Sequence, residues 1–266
     1  MAKNNSFIRI EGTLDGLTFY RKNGESLIKT KNRLSRNRIM NDPAYKRTRE
    51  NMREFGGSAV CGKSFRESFA GIVRLVADTF ISSRVTGLMR TVVASGAGLR
   101  GERAISLVDH LDTFVGFNFN IKKPFDSHFN APAPAPVLNA NRDTLTWNVP
   151  DFNSDTYVLR PEGATHFKLA LAAGFVSNYE WDPATKTYVP VEASPNGIGG
   201  VIYSAPIALG GMVGAATDLE VDLSAQGPVP ATTAVFGGTA IVFYQMVNGE
   251  LYELAQGHCM KIAVGG

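Results

Sequence analysis

Three sets of residues have types and spacings that chemistry could use. Gly96-Ala97-Gly98-Leu99-Arg100-Gly101 has the glycine spacing of a dinucleotide-binding loop, where small residues let the backbone approach a pyrophosphate at a helix N-terminus. Such a loop must follow a strand. The residues before Gly96 instead carry helical periodicity and no second β-α unit follows, so a loop between helices is expected. Asp151, Asn153, Asp155 and Glu162 occupy the first, third, fifth and twelfth places of a calcium-loop pattern, which supplies oxygen ligands around one cation. Thr156 stands where the sharp turn needs glycine and neither flank is helical, so the competing reading is a polar loop between strands. His110, His128, His166 and His258 share no metal-ligand spacing. No nucleophile elbow or similar local signature joins them to a serine or cysteine, so structural or surface roles are expected for all four. Cys61 and Cys259 are too few for a disulfide scaffold and are expected to be reduced. No catalytic residue and no cofactor is assigned, and the chain is expected not to be an enzyme.

The remaining feature is charge. From Arg21 to Arg53 there are eleven Lys/Arg against Glu25, Asp42 and Glu50, a net of +8. Arg33, Arg36, Arg38, Lys46, Arg47, Arg49 and Arg53 are the candidate assembly or phosphate-contacting residues. Nucleic-acid binding would use them to meet phosphates. No helix-turn-helix, zinc-finger or RNA-recognition signature accompanies them, and a solvated basic face is the plainer alternative. The asymmetry extends over the whole chain: residues 1–123 carry 22 Lys/Arg and 11 Asp/Glu, net +11, whereas residues 124–266 carry 5 and 13, net −8. Such a split points to an acidic partner, either nucleic acid or the acidic half of another copy.

These residues must be positioned by an α+β fold in two halves. Residues 7–30 alternate and break on glycine as a small β-meander, with Lys22-Asn23-Gly24-Glu25 as a type I′ hairpin turn. Asp42 and Pro43 mark a helix start, after which Tyr45, Thr48, Met52 and Phe55 share one face and should be buried, leaving Arg47, Arg49 and Arg53 in solvent. Gly56-Gly57 is expected to end that helix. Apolar residues from Phe65 to Phe80 and from Ile81 to Val92 recur at helical spacing, and a further helix is expected over residues 102–111, giving a compact bundle. The Ala-Pro alternation in residues 124–136 cannot be helix and predicts a stiff linker. Beyond it, residues 137–266 hold about seven short strands with Val247-Asn248-Gly249-Glu250 as a second hairpin turn, the pattern of an antiparallel β-sandwich of immunoglobulin type. The expected domains are therefore 1–123 and 137–266. The N-terminus has no apolar run of about 7–15 residues behind its lysine, so neither signal peptide nor membrane anchor is expected. Synthesis in the cytoplasm follows, with the location after assembly, outside the cell or on a particle, left open.

At GTLDGLTFYRKNG and NDPAYKRTRENMREFGGSAVCGKSFR the chain resembles a family of uncharacterised Bacteroidota proteins sharing a turn-rich β start, an NDPA helix cap and an arginine-rich helix. The resemblance covers roughly the first 70 residues and implies no activity. Charge polarity across a stiff linker favours a non-enzymatic structural protein, a homo-polymer assembling head to tail into a filament or tube. The alternatives are nucleic-acid binding through residues 21–53 and a carbohydrate- or ligand-binding sandwich.

Overall fold

The computed structural model describes residues 2–3, 10–30 and 34–266. Contacts divide the chain into a small unit, residues 1–50, and a large one, residues 51–266. The expected boundary at residues 124–136 is therefore corrected: helices and sheets on both sides of it belong to the large unit.

The small unit is a four-stranded antiparallel sheet followed by short helices. Its strands are β1 (Ala2–Lys3), β2 (Gly12–Leu14), β3 (Leu17–Lys22) and β4 (Glu25–Thr30), in the order β1-β4-β3-β2. The turn chemistry explains the hairpins. Asn23 and Gly24 take φ of 53° and 81°, as a type I′ turn requires, and Asp15-Gly16, with φ of 45° and 80°, makes the same turn between β2 and β3. Most of the anticipated first strand, residues 7–11, lies outside the described residues. Helix α1 (Arg36–Asn41) is capped by the Ser35 hydroxyl, which accepts from the Arg38 amide. Asp42 then accepts from the Ala44 amide at 2.9 Å with Pro43 just inside, the expected helix start, and α2 (Lys46–Glu67) follows a single 3-10 turn.

α2 does not stop at Gly56-Gly57. A Cβ at Gly57 would collide with the Tyr188 ring, so this glycine admits an aromatic side chain against the helix rather than ending it. Nor is Met52/Phe55 the buried face: both are more than half exposed, while Glu54, Ser58, Cys61, Ser64 and Phe65 are buried. Helices α3 (Ala70–Val76) and α4 (Ile81–Ser95) continue the anticipated periodicity. The expected helix over residues 102–111 is absent; Ile105 bridges to Tyr179 instead.

Across residues 124–136 lies α5 (Phe125–His128), then β5 (Val137–Leu138), β6 (Thr144–Val149), α6 (Ser154–Tyr157), β7 (His166–Ser177), β8 (Tyr179–Asp182) and β9 (Thr187–Pro190). They are followed by β10 (Gly199–Tyr203), β11 (Ile207–Ala208), β12 (Thr217–Asp222), β13 (Thr233–Val247), β14 (Glu250–Glu253) and β15 (Cys259–Gly265). The central pair is β7 and β13, antiparallel from His166↔Tyr244 to Ser177↔Thr233, flanked by β10 and β11 on one side and β14 and β15 on the other. A second, three-stranded sheet has the order β12-β6-β5.

Both faces of the central sheet are covered, which explains the near-continuous apolar run HFKLALAAGFVS. Phe167, Leu169, Leu171 and Phe175 pack with Leu145, Trp147, Leu219 and Val221 of the three-stranded sheet, making the two-sheet sandwich. On the opposite face Ala170, Ala172, Phe236 and Val242 pack with Phe65, Phe69, Ile72, Val85 and Met89 of the helices. The helices are thus a third layer on the sheet rather than a bundle with its own core. The Ala-Pro segment is held as well, since the Trp147 indole N–H donates to the Pro134 carbonyl at 3.1 Å.

Candidate functional site

The basic residues separate into several roles. Arg33 lies outside the described residues. Arg36 and Lys46 are exposed. Arg38 pairs with Asp42 at 3.2 Å, and this guanidinium, behind the Ala44 amide, holds the Asp42 carboxyl below its ordinary value. Arg47 pairs with Glu50 at 2.8 Å. Arg49 donates to the carbonyls of Ile39 and Asp42 at 2.8 and 2.9 Å, tying down the C-terminal end of α1. Within the large unit, Arg53 pairs with Glu102 and lies 5.0 Å from the Trp181 ring centre. A row of uncommitted arginines is therefore not what the sequence builds here: four of the seven hold local structure.

The N-terminal sheet has two unlike faces. Cross-strand pairs Leu14↔Leu17 and Phe19↔Ile28, with the two-residue alternation along β3, put these four side chains on one face. None of them is buried, and Leu14 and Leu17 are 63% and 41% exposed. The other face carries Lys22, Glu25, Leu27, Lys29 and Tyr20, with Lys3 paired to Glu25 at 2.8 Å and the Lys29 ammonium 5.2 Å from the Tyr20 ring centre. Among the described residues of 1–50 only Glu50 is buried. β2 has no described partner on its outer side, and β1 covers only Leu27 and Ile28 of β4.

The sequence's chemical candidates do not assemble into a reaction centre. The Gly96–Gly101 loop follows α4, not a strand. Its Gly101 amide donates to Glu54 Oε1 at 2.8 Å, and Arg103 donates to both oxygens of the same carboxylate at 2.8 and 2.9 Å. An internal carboxylate thus takes the amide that a phosphate would need. Those bonds from Arg103, and then the amide, outweigh burial and hold the Glu54 carboxyl below its usual 4.5.

Three of the four candidate calcium residues are also spoken for, and Glu162 is exposed. Asp151 accepts from the Gly214 amide, Asp155 accepts from the Gly211 amide, and Asn153 caps α6 through the Asp155 amide. These bonds clamp residues 210–214 to the loop, and no cluster of acidic, histidine or cysteine side chains among the described residues is arranged to hold a metal ion.

One pairing the sequence does not disclose is Ser95 with His110, 2.6 Å apart. It resembles a nucleophile with its base, and the rest of the geometry argues against that use. The Ser95 hydroxyl donates to the Val92 carbonyl at 2.9 Å, so the imidazole Nε2–H donates to the serine. The buried Nδ1 has no partner, so no acid orients the ring. Ser95 ends α4, where backbone carbonyls rather than amide donors would face an oxyanion. His258 is structural: its Nδ1 accepts from the Phe243 amide at 3.0 Å and its Nε2 donates to the Leu254 carbonyl. His128 and His166 hydrogen-bond Pro124 and Thr165 beside them. Both thiols are buried, and burial pushes Cys61 up and Cys259 to about 12, so neither forms a thiolate nucleophile near neutral pH.

The large unit has several openings, including a cleft and a groove. A cleft of about 450 Å³ lies under the Ala-Pro segment, lined by Phe125, Phe129, Trp147, Thr239 and the Lys261–Asp126 ion pair. Its charged lining groups, Asp126 and Lys261, are paired with each other. A groove of about 430 Å³ runs beside β12, with Ile202, Ile207 and Val213 among its lining residues. Among the described residues no helix is long and apolar enough to cross a membrane. In comparison with known proteins, no family model, no curated protein and no solved structure matches the chain.

Proposed function

We propose that this chain is a structural, non-catalytic protein whose copies assemble head to tail, the N-terminal unit of one copy docking on the acidic half of the next. The observation that carries the reading is the apolar face of Leu14, Leu17, Phe19 and Ile28, left unburied in a sheet whose described residues form no core of their own. Ordering each residue costs about 1–2 kcal/mol of backbone entropy, and only buried apolar surface offsets a cost of that size. A partner covering this face recovers on the order of 1 kcal/mol per half-exposed side chain, a few kcal/mol in all. The unequal charge of the two halves gives the contact direction, because a basic unit repels its own kind and attracts the acidic half. A contact between two different surfaces propagates into a filament, or into a tube where filaments associate laterally.

Sedimentation and negative-stain microscopy of the purified full-length protein, at low and high salt and with nucleic acid removed, test this. Large species are expected at low salt, growing with protein concentration, while a variant lacking residues 1–30 stays small and keeps the thermal transition of the large unit. A full-length protein that stays monomeric throughout, or a truncated one that assembles equally well, overturns the proposal. Retention of DNA or RNA by a monomer, falling steeply with salt, would favour phosphate contact instead.

A further inference from the structure

The groove beside β12 is the surface where an added strand would be accepted. β12 is an edge of its three-stranded sheet: β6 pairs with one side, and no described strand pairs with the other. Its alternation is regular. Leu219 and Val221 are buried toward the central sheet, and Asp218, Glu220 and Asp222 point to solvent. The groove opens between this edge and β10, with Ile202 still 42% exposed within it. Unpaired main-chain groups along an edge are a template for another strand, and the groove beside it has room for a few apolar side chains.

The charges select the occupant. Three carboxylates recur along one side of a single strand, and among the described residues no lysine or arginine is paired with any of them. Two such edges brought together repel, so β12 is protected from joining its own copy in another molecule. A strand flanked by lysines meets the opposite condition. The N-terminal sheet has Lys22 and Lys29 on one face and Leu14, Leu17, Phe19 and Ile28 on the other, with Arg21 at the far end of that second face. Aligned with β12, its apolar face turns toward the groove while its lysines lie on the solvent side with Asp218 and Glu220.

The geometry points to strand addition between copies: the N-terminal sheet of one molecule extends the β12-β6-β5 sheet of the next at the free edge of β12. This inference rests on the assembly reading and names its receiving surface. Edge charge then acts twice, forbidding the symmetric contact and selecting the asymmetric one.

The test uses full-length protein. An equal mixture of isotope-labelled and unlabelled copies is treated with a zero-length carbodiimide, which joins a lysine only to a carboxylate it touches. Links between Lys22 or Lys29 of one copy and Asp218 or Glu220 of another are expected. In parallel, the D218K/E220K variant should raise the concentration needed for large species by at least about tenfold, since like charges facing across a contact cost that much or more. Adding K22E/K29E to the same chain should restore assembly. If the lysine variant does not fold, D218N/E220Q keeps side-chain shape and should show a smaller shift in the same direction. Unchanged assembly in a folded charge variant, without the expected cross-links, overturns β12 as the receiving edge: its acids then serve only to keep an edge from aggregating. In that case loss of assembly on removing residues 1–30 still upholds the assembly reading, whereas a wild-type protein that never assembles sinks both.

Discussion

Glu54→Ala is the perturbation whose size follows most directly from the structure. The carboxylate is 1% exposed and accepts three hydrogen bonds, two from Arg103 and one from the Gly101 amide. Breaking a buried ion pair by removing one partner costs about 3–5 kcal/mol, chiefly because the other charge is left without compensation. Arg103 retains 22% side-chain exposure and also donates to the Ala94 carbonyl, which places the expected loss near the lower end, about 3 kcal/mol. For a unit of this length that corresponds to a fall in Tm of roughly 6–12 °C. Thermal unfolding followed by circular dichroism measures it. Replacing both partners with apolar residues, E54L/R103M, should recover much of the loss. Acid supplies an independent check with Glu54→Gln. The folded carboxyl is held below 4.5, so its contribution is complete above that pH and is lost as pH falls through the lower folded value. The gap between wild type and E54Q should therefore narrow in acid. A Glu54→Ala protein within about 1 kcal/mol of wild type, or an E54Q gap that does not change with pH, would refute the account of this carboxylate as the anchor of the Gly96–Gly101 loop.

Burial lowers the pKa of His258 below its ordinary 6.5, and its Nδ1 accepts from the Phe243 amide. The neutral ring thus stabilises the fold fully above about 6.5, and that stability is lost as pH falls toward the folded value; the fall measured between pH 7 and 5 should be smaller in His258→Gln. A fragment of residues 137–266 removes the layer containing Phe65 and Phe69, exposing Ala172, Phe236 and Val242, so it should aggregate or bind hydrophobic dyes, while residues 51–266 should melt cooperatively. Independent cooperative folding of the shorter fragment would contradict the shared core.

Local physics made part of the fold legible. Asn23-Gly24 and Asn248-Gly249 carry their own backbone preferences, and both adopt the positive φ values their hairpins need. Asp42-Pro43 likewise sets a helix start with groups only two residues apart. What was illegible depends on partners distant in sequence. Glu54 looks like a solvent residue until Arg103 is beside it, and so the local sequence favours Met52 and Phe55 for the inward face of α2. Gly57 looks like a terminator because nothing nearby announces Tyr188. The Ala-Pro segment has the composition of a linker, yet Pro134 is a hydrogen-bond acceptor for a core tryptophan. At the candidate sites the limit was similar. The charge of residues 21–53 is visible in sequence, but which arginines are occupied is decided by carbonyls and rings the folded chain brings to them.

The pairing of β7 with β13 also governs how the large unit is made. Its nearest hairpin-like contact, Ser177 with Thr233, closes only after the whole segment 178–232 has been looped out, and everything in both covering layers rests on that ladder. Loop closure must precede the contacts that reward it, so the chain belongs with slowly folding, high-contact-order proteins. Until the ladder zips, the helical layer has no sheet against which to bury Phe65 and Phe69. The edge that would accept a neighbour's strand is likewise unfinished. An assembly built on β12 would therefore be timed by folding itself: a molecule becomes able to receive a partner only once its central ladder has closed.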